Sequence, residues 1–370
     1  MNFLHTYAPY VTRIELELKN YLSEIHHPNN NPILNEFYQL ITDQILSGGK
    51  RLRPLCMTMA YKGYNSDDDI IVPSISPELV HASSLILDDA MDEDVMRHGE
   101  PTFNAVYADK FLSAMDFDIS KYGKGRYWIQ RDTLKNLFFA QKAISRYSYA
   151  LAVLGSNVIY SLSLDALMKA RFEPSKMMHA TELHRSMYQK LNEGQLMDIL
   201  YESRHANEKE YLAMIHKKTG ILFVYPIRLG LNFSSCENTG CLDEYATSIA
   251  KAFQIQDDIL GSFGSEKITG KSSFSDIREG KRTLLVIKAF ENADEQQQKV
   301  LTKVLGYEHA SREDVEEVRN IFKDTGAYGH CIELSKKFIE NSKTSIPDDM
   351  SQESRKFFEG LADFVIERNR

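Results

Sequence analysis

Cysteine is scarce in this chain. Four occur among 370 residues, at positions 56, 236, 241 and 331. Only Cys236 and Cys241 lie close together, and no second pair completes a zinc set. The four read as reduced structural thiols of a cytoplasmic protein. Glycine and proline are also few, at 19 and 10, and alternating strand patterns bounded by turn pairs are rare. Positive charge is not in excess: the net charge is −8. That excludes a general basic surface for nucleic acid. An acidic protein that binds a polyanion must use local basic pockets or bound cations. The most apolar stretches, 151–164 and 221–231, fall short of a membrane span and carry Ser, Asn or Arg. They read as buried helices, with no transmembrane segment. The opening Met1-Asn-Phe-Leu-His lacks a basic segment ahead of an apolar one, so no signal peptide is expected.

What is present is ordinary globular material, 43% hydrophobic and 26% charged. The length suits one large helical domain or two smaller ones. Ile14, Leu16, Leu18, Tyr21 and Leu22 suggest one amphipathic helix, and Leu34, Phe37, Leu40, Ile41, Ile45 and Leu46 the next. The second of these segments is predicted to end at Gly48-Gly49. Further helices are predicted over 77–91, 135–170, 176–202, 208–231 and 242–260, and throughout the last part of the chain. The fold class is therefore all-α. Residues 116–131 are polar and contain Gly123, Gly125 and the only tryptophan, Trp128. They read as an insertion, bounded at about 113–135, within a single domain over 1–370. No internal repeat or domain linker is visible.

Two acidic motifs carry the chemistry. The first is Leu85-Ile-Leu-Asp88-Asp89-Ala-Met-Asp92-Glu-Asp94. On a helix, Asp88 and Asp92 share one face. Apolar residues precede them, so the carboxylates sit at the end of a buried helix. Like charges this close repel unless a cation lies between them, and Mg²⁺ favours one or two carboxylates completed by phosphate and water. The bland reading is a solvated acidic helix end. The second motif is Phe253-Gln254-Ile255-Gln256-Asp257-Asp258-Ile259-Leu260. Here too the aspartates fall at a helix C-terminus, where the dipole opposes negative charge. Two such motifs together favour a cation site. Asp67-Asp68-Asp69 serves as a control: it follows Gly63 and Asn65 with no apolar helix expected before it, and reads as a solvated loop.

Basic residues answer the acids. Ser47-Gly48-Gly49-Lys50-Arg51-Leu52-Arg53-Pro54 sets two glycines beside three cations. Glycine lets backbone N–H groups approach phosphate oxygens, and the cations neutralise charge. A basic helix cap is the plainer reading of that segment. Arg97 follows the first motif, Lys218-Thr219 lies on a helix, and Lys271 and Lys281 flank the loop after the second motif. A P-loop is discounted, because five residues rather than four separate Gly264 from Gly270-Lys271-Ser272, and a helix precedes them.

At this point the sequence resembles the trans-isoprenyl diphosphate synthase (polyprenyl synthetase) family. The elements stand in the family's order: GGKRLRP at 48–54, His81 ahead of DDAMD at 88–92, and RHGEPT at 97–102. GQLMD at 194–198, KTG at 218–220, FQIQDD at 253–258 and TGK with DIREGKRT, ending at Thr283, follow. The resemblance spans roughly residues 40–290 and is nearest to the geranylgeranyl diphosphate synthase branch. It implies one helical bundle around a deep central cavity, a homodimer, and three Mg²⁺ ions in the substrate complex. It assigns Asp88, Asp92 and Asp257 as metal ligands, with Asp89 and Asp258 supporting and Asp94 outside. Arg97, Lys218, Thr219, Gln254, Lys271 and Lys281 would bind the allylic diphosphate. Gly49, Lys50, Arg53, His81 and His98 would bind isopentenyl diphosphate, with Gln195 and Asp198 supporting. The implied reaction ionises the allylic diphosphate, condenses it with isopentenyl diphosphate and eliminates a proton.

This chain departs from the family in places. His98 stands where a second arginine is common, which makes binding there pH-sensitive. Gly261 replaces a frequent third aspartate, Asn104 a frequent histidine, and Gly155-Ser156-Asn157 a common Gly-Asp. The growing chain is expected to run down the first-motif helix past Ser84 and Ser83 to Val80. Small residues there imply a product of at least about twenty carbons, each isoprene unit being on the order of one helical turn long. On that reading Ser83→Phe shortens the product, whereas on the plainer one the serines only allow close helix packing. Two rivals stay open: a class I terpene cyclase, and a non-catalytic partner subunit. Lys50, Arg53, His81 and Asp257-Asp258 speak against the first, and the presence of both acidic motifs against the second. The C-terminal residues 367–370 read as a frayed basic tail, the alternative being a cover over the isopentenyl diphosphate site.

Overall fold

A computed structural model describes residues 3–25, 31–65, 67, 70–97, 99–114, 138–204, 206–264, 275–307 and 309–367. In chain order the helices are α1 (Phe3–Thr6), α2 (Ala8–Ile25), α3 (Pro32–Leu46), α4 (Leu52–Lys62) and α5 (Ile71–Met91). A two-residue hairpin follows, β1 (Met96–Arg97) with β2 (Glu100–Pro101), antiparallel, turning at Gly99 with φ +84°. Then come α6 (Phe103–Ala114), α7 (Phe138–Met168), α8 (Pro174–Ser203) and α9 (Glu208–Ile215). A π turn, His216–Gly220, leads into α10 (Ile221–Phe233) and α11 (Asp243–Phe263). The chain ends with α12 (Ser275–Glu279), α13 (Leu284–Asn292), α14 (Glu295–Val304), α15 (Arg312–Asp324), α16 (Ala327–Thr344) and α17 (Gln352–Glu367). The all-α class follows from the sparse glycine and proline and the helical spacing of apolar residues. The insertion at 113–135 lies largely outside the described residues, as do residues 368–370.

The chain divides into two compact units. One comprises Tyr7–Leu55 and Asp69–Arg171, the other Met1–Thr6, Cys56–Asp68 and Phe172–Arg370. The first holds the first acidic motif. Its core gathers Leu18 and Tyr21 of α2, Ile41 and Ile45 of α3, Ile75, Leu79 and Ile86 of α5, Phe103 of α6, and Ala152, Ile159 and Ala166 of α7. α3 starts where Asn31 accepts from the Ile33 N–H at 3.0 Å ahead of Pro32. α5 begins at Ile71, earlier than the expected Pro77, which sits inside the helix. Burial of Ile75, Ser76, Glu78 and Leu79 on either side offsets the hydrogen bond that proline cannot make.

α7 corrects one expectation. Its segment Ser145–Met168 spans 24 residues with mean hydropathy 1.5, long and apolar enough to cross a membrane by length and composition. Ala152, Ile159 and Ala166 pack into the core with α5, whereas Tyr147, Leu154 and Met168 are exposed, so α7 is buried along one face only. Contact with α6 is close at Gly155, where a Cβ would lie 2.7 Å from the Phe103 ring.

The second unit is built round α10, buried on every side except at Arg228. The expected helix over 208–231 is thus two helices with a π turn between them. α10 approaches the α4 backbone at Gly230, where a Cβ would meet the Met57 carbonyl oxygen at 2.2 Å. α11 leans on α16, with Gln256 donating to Ser335 Oγ at 2.9 Å. Asp67 is exposed in a bend, as the solvated-loop reading expects, and only the helix before it differs. The buried helix α4 does precede it, and the Tyr61 hydroxyl donates to Asp67 at 2.6 Å. Asp68 and Asp69 lie outside the described residues.

These contacts predict opposite outcomes for two glycines. Gly230→Ala must displace backbone and is expected to cost about 2 kcal/mol or more. Gly329→Ala, in exposed helix with nothing within 4 Å, is expected to stabilise by about 0.5–1 kcal/mol. Urea denaturation of both variants checks the contrast.

Candidate active site

In the first unit, α5 delivers Asp88, Asp89 and Asp92 at its C-terminus. The Asp92 N–H closes the last turn on the Asp88 carbonyl at 2.8 Å. The three carboxylates do not share a fate. Asp88 and Asp92 are half-buried. Asp89 is 2% exposed and accepts two bonds from Arg97 Nε, at 2.7 and 2.9 Å, and a third from its Nη2. Burial pushes the Asp89 carboxyl upward, and the guanidinium pulls against it. Arg97 is carried by β1. The segment before it is pinned by Asn104 and Thr102, which donate to the Asp94 carbonyl at 3.0 and 2.8 Å. Asn104, read only as a departure, thus fixes the entry to the hairpin. His98, the next residue, lies outside the described residues.

The basic loop is held by a residue that the sequence reading left without a role. Gly48 and Gly49 have φ +135° and +128°, and Arg51 follows at φ +50°. Arg51 is 3% exposed, and its guanidinium meets Glu78 of α5 at 2.7 Å and the Ile45 carbonyl at 3.3 Å. That buried pair secures the strained turn. Gly49 and Lys50 are left exposed, with Arg53 half-buried at the start of α4. His81 is half-buried on α5, two turns before Asp88.

Below Asp88 the small residues separate. Ser83 is 1% exposed, and its hydroxyl bonds Ser156 of α7 through both backbone (3.0 Å) and Oγ (2.9 Å). Ser83 is therefore a packing residue between two helices. Ser84, half-buried and one turn from Asp88, donates to its own helix at His81. Val80 is fully buried.

The second unit joins the remaining motifs. α8 passes so close to the π turn that a Cβ at Gly194 would lie 2.3 Å from the Lys218 nitrogen. The turn sends Lys217 to Glu193 and Lys218 to Asp198, each at 2.5 Å. Gln195 is half-buried on the same stretch of α8. Thr219 donates to Gln254 Oε1 at 2.7 Å, and Gln254 Nε2 donates to Asp258 Oδ1 at 2.9 Å. The Tyr211 hydroxyl of α9 donates to the other oxygen of Asp258. Burial, followed by the nearby Asp276, pushes the Asp258 carboxyl up to about 8. Asp257, by contrast, is exposed. Lys281 pairs with Glu279 at 3.3 Å, and Lys271 lies outside the described residues. Tyr211 gave no signal in the sequence, being apart from every motif.

Among the described residues no three carboxylate, imidazole or thiol groups converge into a ready-made metal cage. Asp89 and Asp258 already spend their oxygens on protein donors. Asp88 and Asp92 of the first unit are half-buried and Asp257 of the second is exposed, and carboxylate oxygens of this kind suit Mg²⁺, which completes its shell with phosphate and water.

The structure is thus of the all-α class, with aspartates at two helix ends and lysine, arginine and threonine near them in the same units. Comparison with known proteins narrows the class. The profile described as polyprenyl synthetase matches residues 34–119 and 140–322, and the chain belongs to that family. The unmatched stretch overlaps the segment read as an insertion. A short chain isoprenyl diphosphate synthase of Methanocaldococcus jannaschii is 30% identical over 96% of this chain and 94% of its own. A geranylgeranyl diphosphate synthase of Saccharolobus solfataricus is 30% identical over 97% and 96%. The crystal structure of a Corynebacterium glutamicum geranylgeranyl pyrophosphate synthase, complexed with isoprenyl diphosphate and magnesium, matches with a TM-score of 0.82 at 25% identity, covering 97% of this chain and 98% of that one.

The Asp89–Arg97 pair gives a prediction. Arg97→Ala leaves a buried carboxylate unpaired and is expected to cost about 3 kcal/mol. Adding Asp89→Asn should recover about half the loss or more. Denaturant titration of the single and double variants measures both.

Proposed function

We propose that the chain condenses isopentenyl diphosphate with an allylic diphosphate in the presence of Mg²⁺, giving an all-trans polyprenyl diphosphate of C20 or longer. The observation that carries this reading is the bonded chain Thr219–Gln254–Asp258. It joins the KTG and FQIQDD motifs, far apart in sequence, into one hydrogen-bonded network. Mg²⁺, when bound, neutralises charge developing on the leaving pyrophosphate. Asp88, Asp92 and Asp257 would hold it, with three ions in the substrate complex.

The chain's own residues do the rest. Lys218 and Thr219, with Arg97, Gln254, Lys271 and Lys281, bind the allylic diphosphate. Asp198 orients Lys218, and Asp89 orients Arg97. Gly49, Lys50, Arg53, His81 and His98 hold isopentenyl diphosphate, and Gln195 has a supporting role beside the Lys218 turn. The allylic C–O bond breaks as the double bond of isopentenyl diphosphate attacks the cation. A proton is then lost to the departing pyrophosphate. Electrostatic stabilisation of the leaving group is the largest contribution in such a site.

The two units serve as one catalytic domain. The protein acts in the cytoplasm as a homodimer, its partner covering the α7 face that exposes Tyr147, Leu154 and Met168. Among structural neighbours and relatives, names with twenty-carbon and longer products recur, including a geranylfarnesyl diphosphate synthase of Aeropyrum pernix.

Farnesyl diphosphate with Mg²⁺, supplied with and without isopentenyl diphosphate, tests the reaction. Extension only with both supports the synthase. A cyclic product from farnesyl diphosphate alone, or no turnover in either arm, contradicts it. Product length is tested at Ser84 rather than Ser83, because Ser83 is committed to Ser156. Ser84→Phe is expected to shift the product distribution shorter by at least one isoprene unit. An unchanged distribution by mass spectrometry removes Ser84 from the product path.

A further inference from the structure

The loop between α10 and α11 carries two thiols that the proposed reaction does not use. Cys236 and Cys241 lie five residues apart, and their sulfurs approach to 4.0 Å. The backbone makes this approach. The Cys241 N–H donates to the Asn238 carbonyl at 3.1 Å, and the Gly240 N–H to Asn238 Oδ1 at 3.1 Å, so the segment folds back on itself. Its start is tied down as well. The Cys236 N–H donates to Ser234 Oγ at 3.0 Å, and Ser235 is held by Asn65 Oδ1 and the Tyr64 carbonyl, at 2.8 and 2.9 Å. Bonding distance between two sulfurs is about 2 Å, so the pair has about 2 Å left to close.

The two thiols differ in setting. Cys236 is half-buried between exposed Ser235 and Glu237, where a small molecule in solvent can reach it. Burial pushes the Cys241 thiol up to about 11, so it keeps its proton. A path for that proton is present. Cys241 Sγ lies 3.8 Å from the Tyr64 hydroxyl, which in turn donates to Asp349 at 3.1 Å. Asp349 is exposed and can pass the proton to water. Cys56 and Cys331, by contrast, are 0% and 1% exposed.

We propose that Cys236 and Cys241 form an exchange site for low-molecular-weight disulfides, closing into a reversible disulfide of their own. The Cys236 thiolate attacks one sulfur of the small disulfide, forming a mixed disulfide and releasing one small thiol. Cys241 then attacks Cys236 Sγ, its proton passing through Tyr64 to Asp349, and the second small thiol leaves with a proton from water. Two protein thiols are oxidised and one small disulfide is reduced to two thiols. This chemistry draws on none of the residues assigned to substrate or metal.

Incubating the full chain with glutathione disulfide, alkylating the remaining thiols in denaturant and mapping peptides by mass spectrometry tests it. In the wild type, Cys236 and Cys241 are expected to become linked, two hydrogens lighter and reversibly with dithiothreitol, while Cys56 and Cys331 are alkylated. The mixed disulfide should stay below about a tenth of the chains, because closure is intramolecular. Cys241→Ser should instead accumulate glutathione on Cys236, and Cys236→Ser should stay unmodified over the same time. Tyr64→Phe, with both thiols kept, should slow ring closure about tenfold and let the mixed disulfide build up. Closure at the wild-type rate in that variant overturns the proton path. A wild type that stays fully reduced, holds a lasting glutathione adduct or links to Cys56 or Cys331 overturns the site itself.

Discussion

Carboxylates crowded at the C-terminal ends of apolar helices must be neutralised, and this constraint organises both units. The helix dipole and neighbouring acids oppose such charge, and burial raises the cost further. The chain answers in two ways. Asp89 is given Arg97, and Asp258 is given Tyr211 and Gln254. These acids are satisfied by protein and do structural work. Asp88, Asp92 and Asp257 are kept more accessible at the same helix ends. In a chain of net charge −8, the proposed function has cations supplied alongside the diphosphate at these accessible acids.

The supporting structure serves this division. Arg51 and Glu78 hold a strained glycine turn so that Lys50 stays exposed. Gly194 lets α8 press into the π turn, which turns Lys218 to Asp198 and Thr219 to Gln254. A regular α-helix through His216–Gly220 would rotate these side chains by a fraction of a turn, and π segments recur at functional positions for that reason.

Much of this was legible in the sequence, for a physical reason. Helix ends marked by apolar residues followed by aspartates are local patterns, and so are glycines beside cations. The all-α class, both acidic motifs and the basic residues needed no distant partner to be recognised. What depended on a partner far along the chain was missed. The π turn reflects Gly194, more than twenty residues earlier. Ser83 belongs with Ser156 on α7, which separates it from Ser84 although the two look alike in sequence. α5 continues ahead of Pro77 because of the core around it, against local propensity.

The central claim is that metal and diphosphate are recognised together, neither sufficing alone. The most direct measurement is the calorimetric melting temperature of the full chain in EDTA, with Mg²⁺, with inorganic pyrophosphate in EDTA, and with both. Stabilisation by a ligand follows mass action on the folded state. A clear rise with both, well above the sum of the separate shifts, is the predicted result. An equal rise with pyrophosphate in EDTA would contradict the claim, because basic residues alone would then hold the anion.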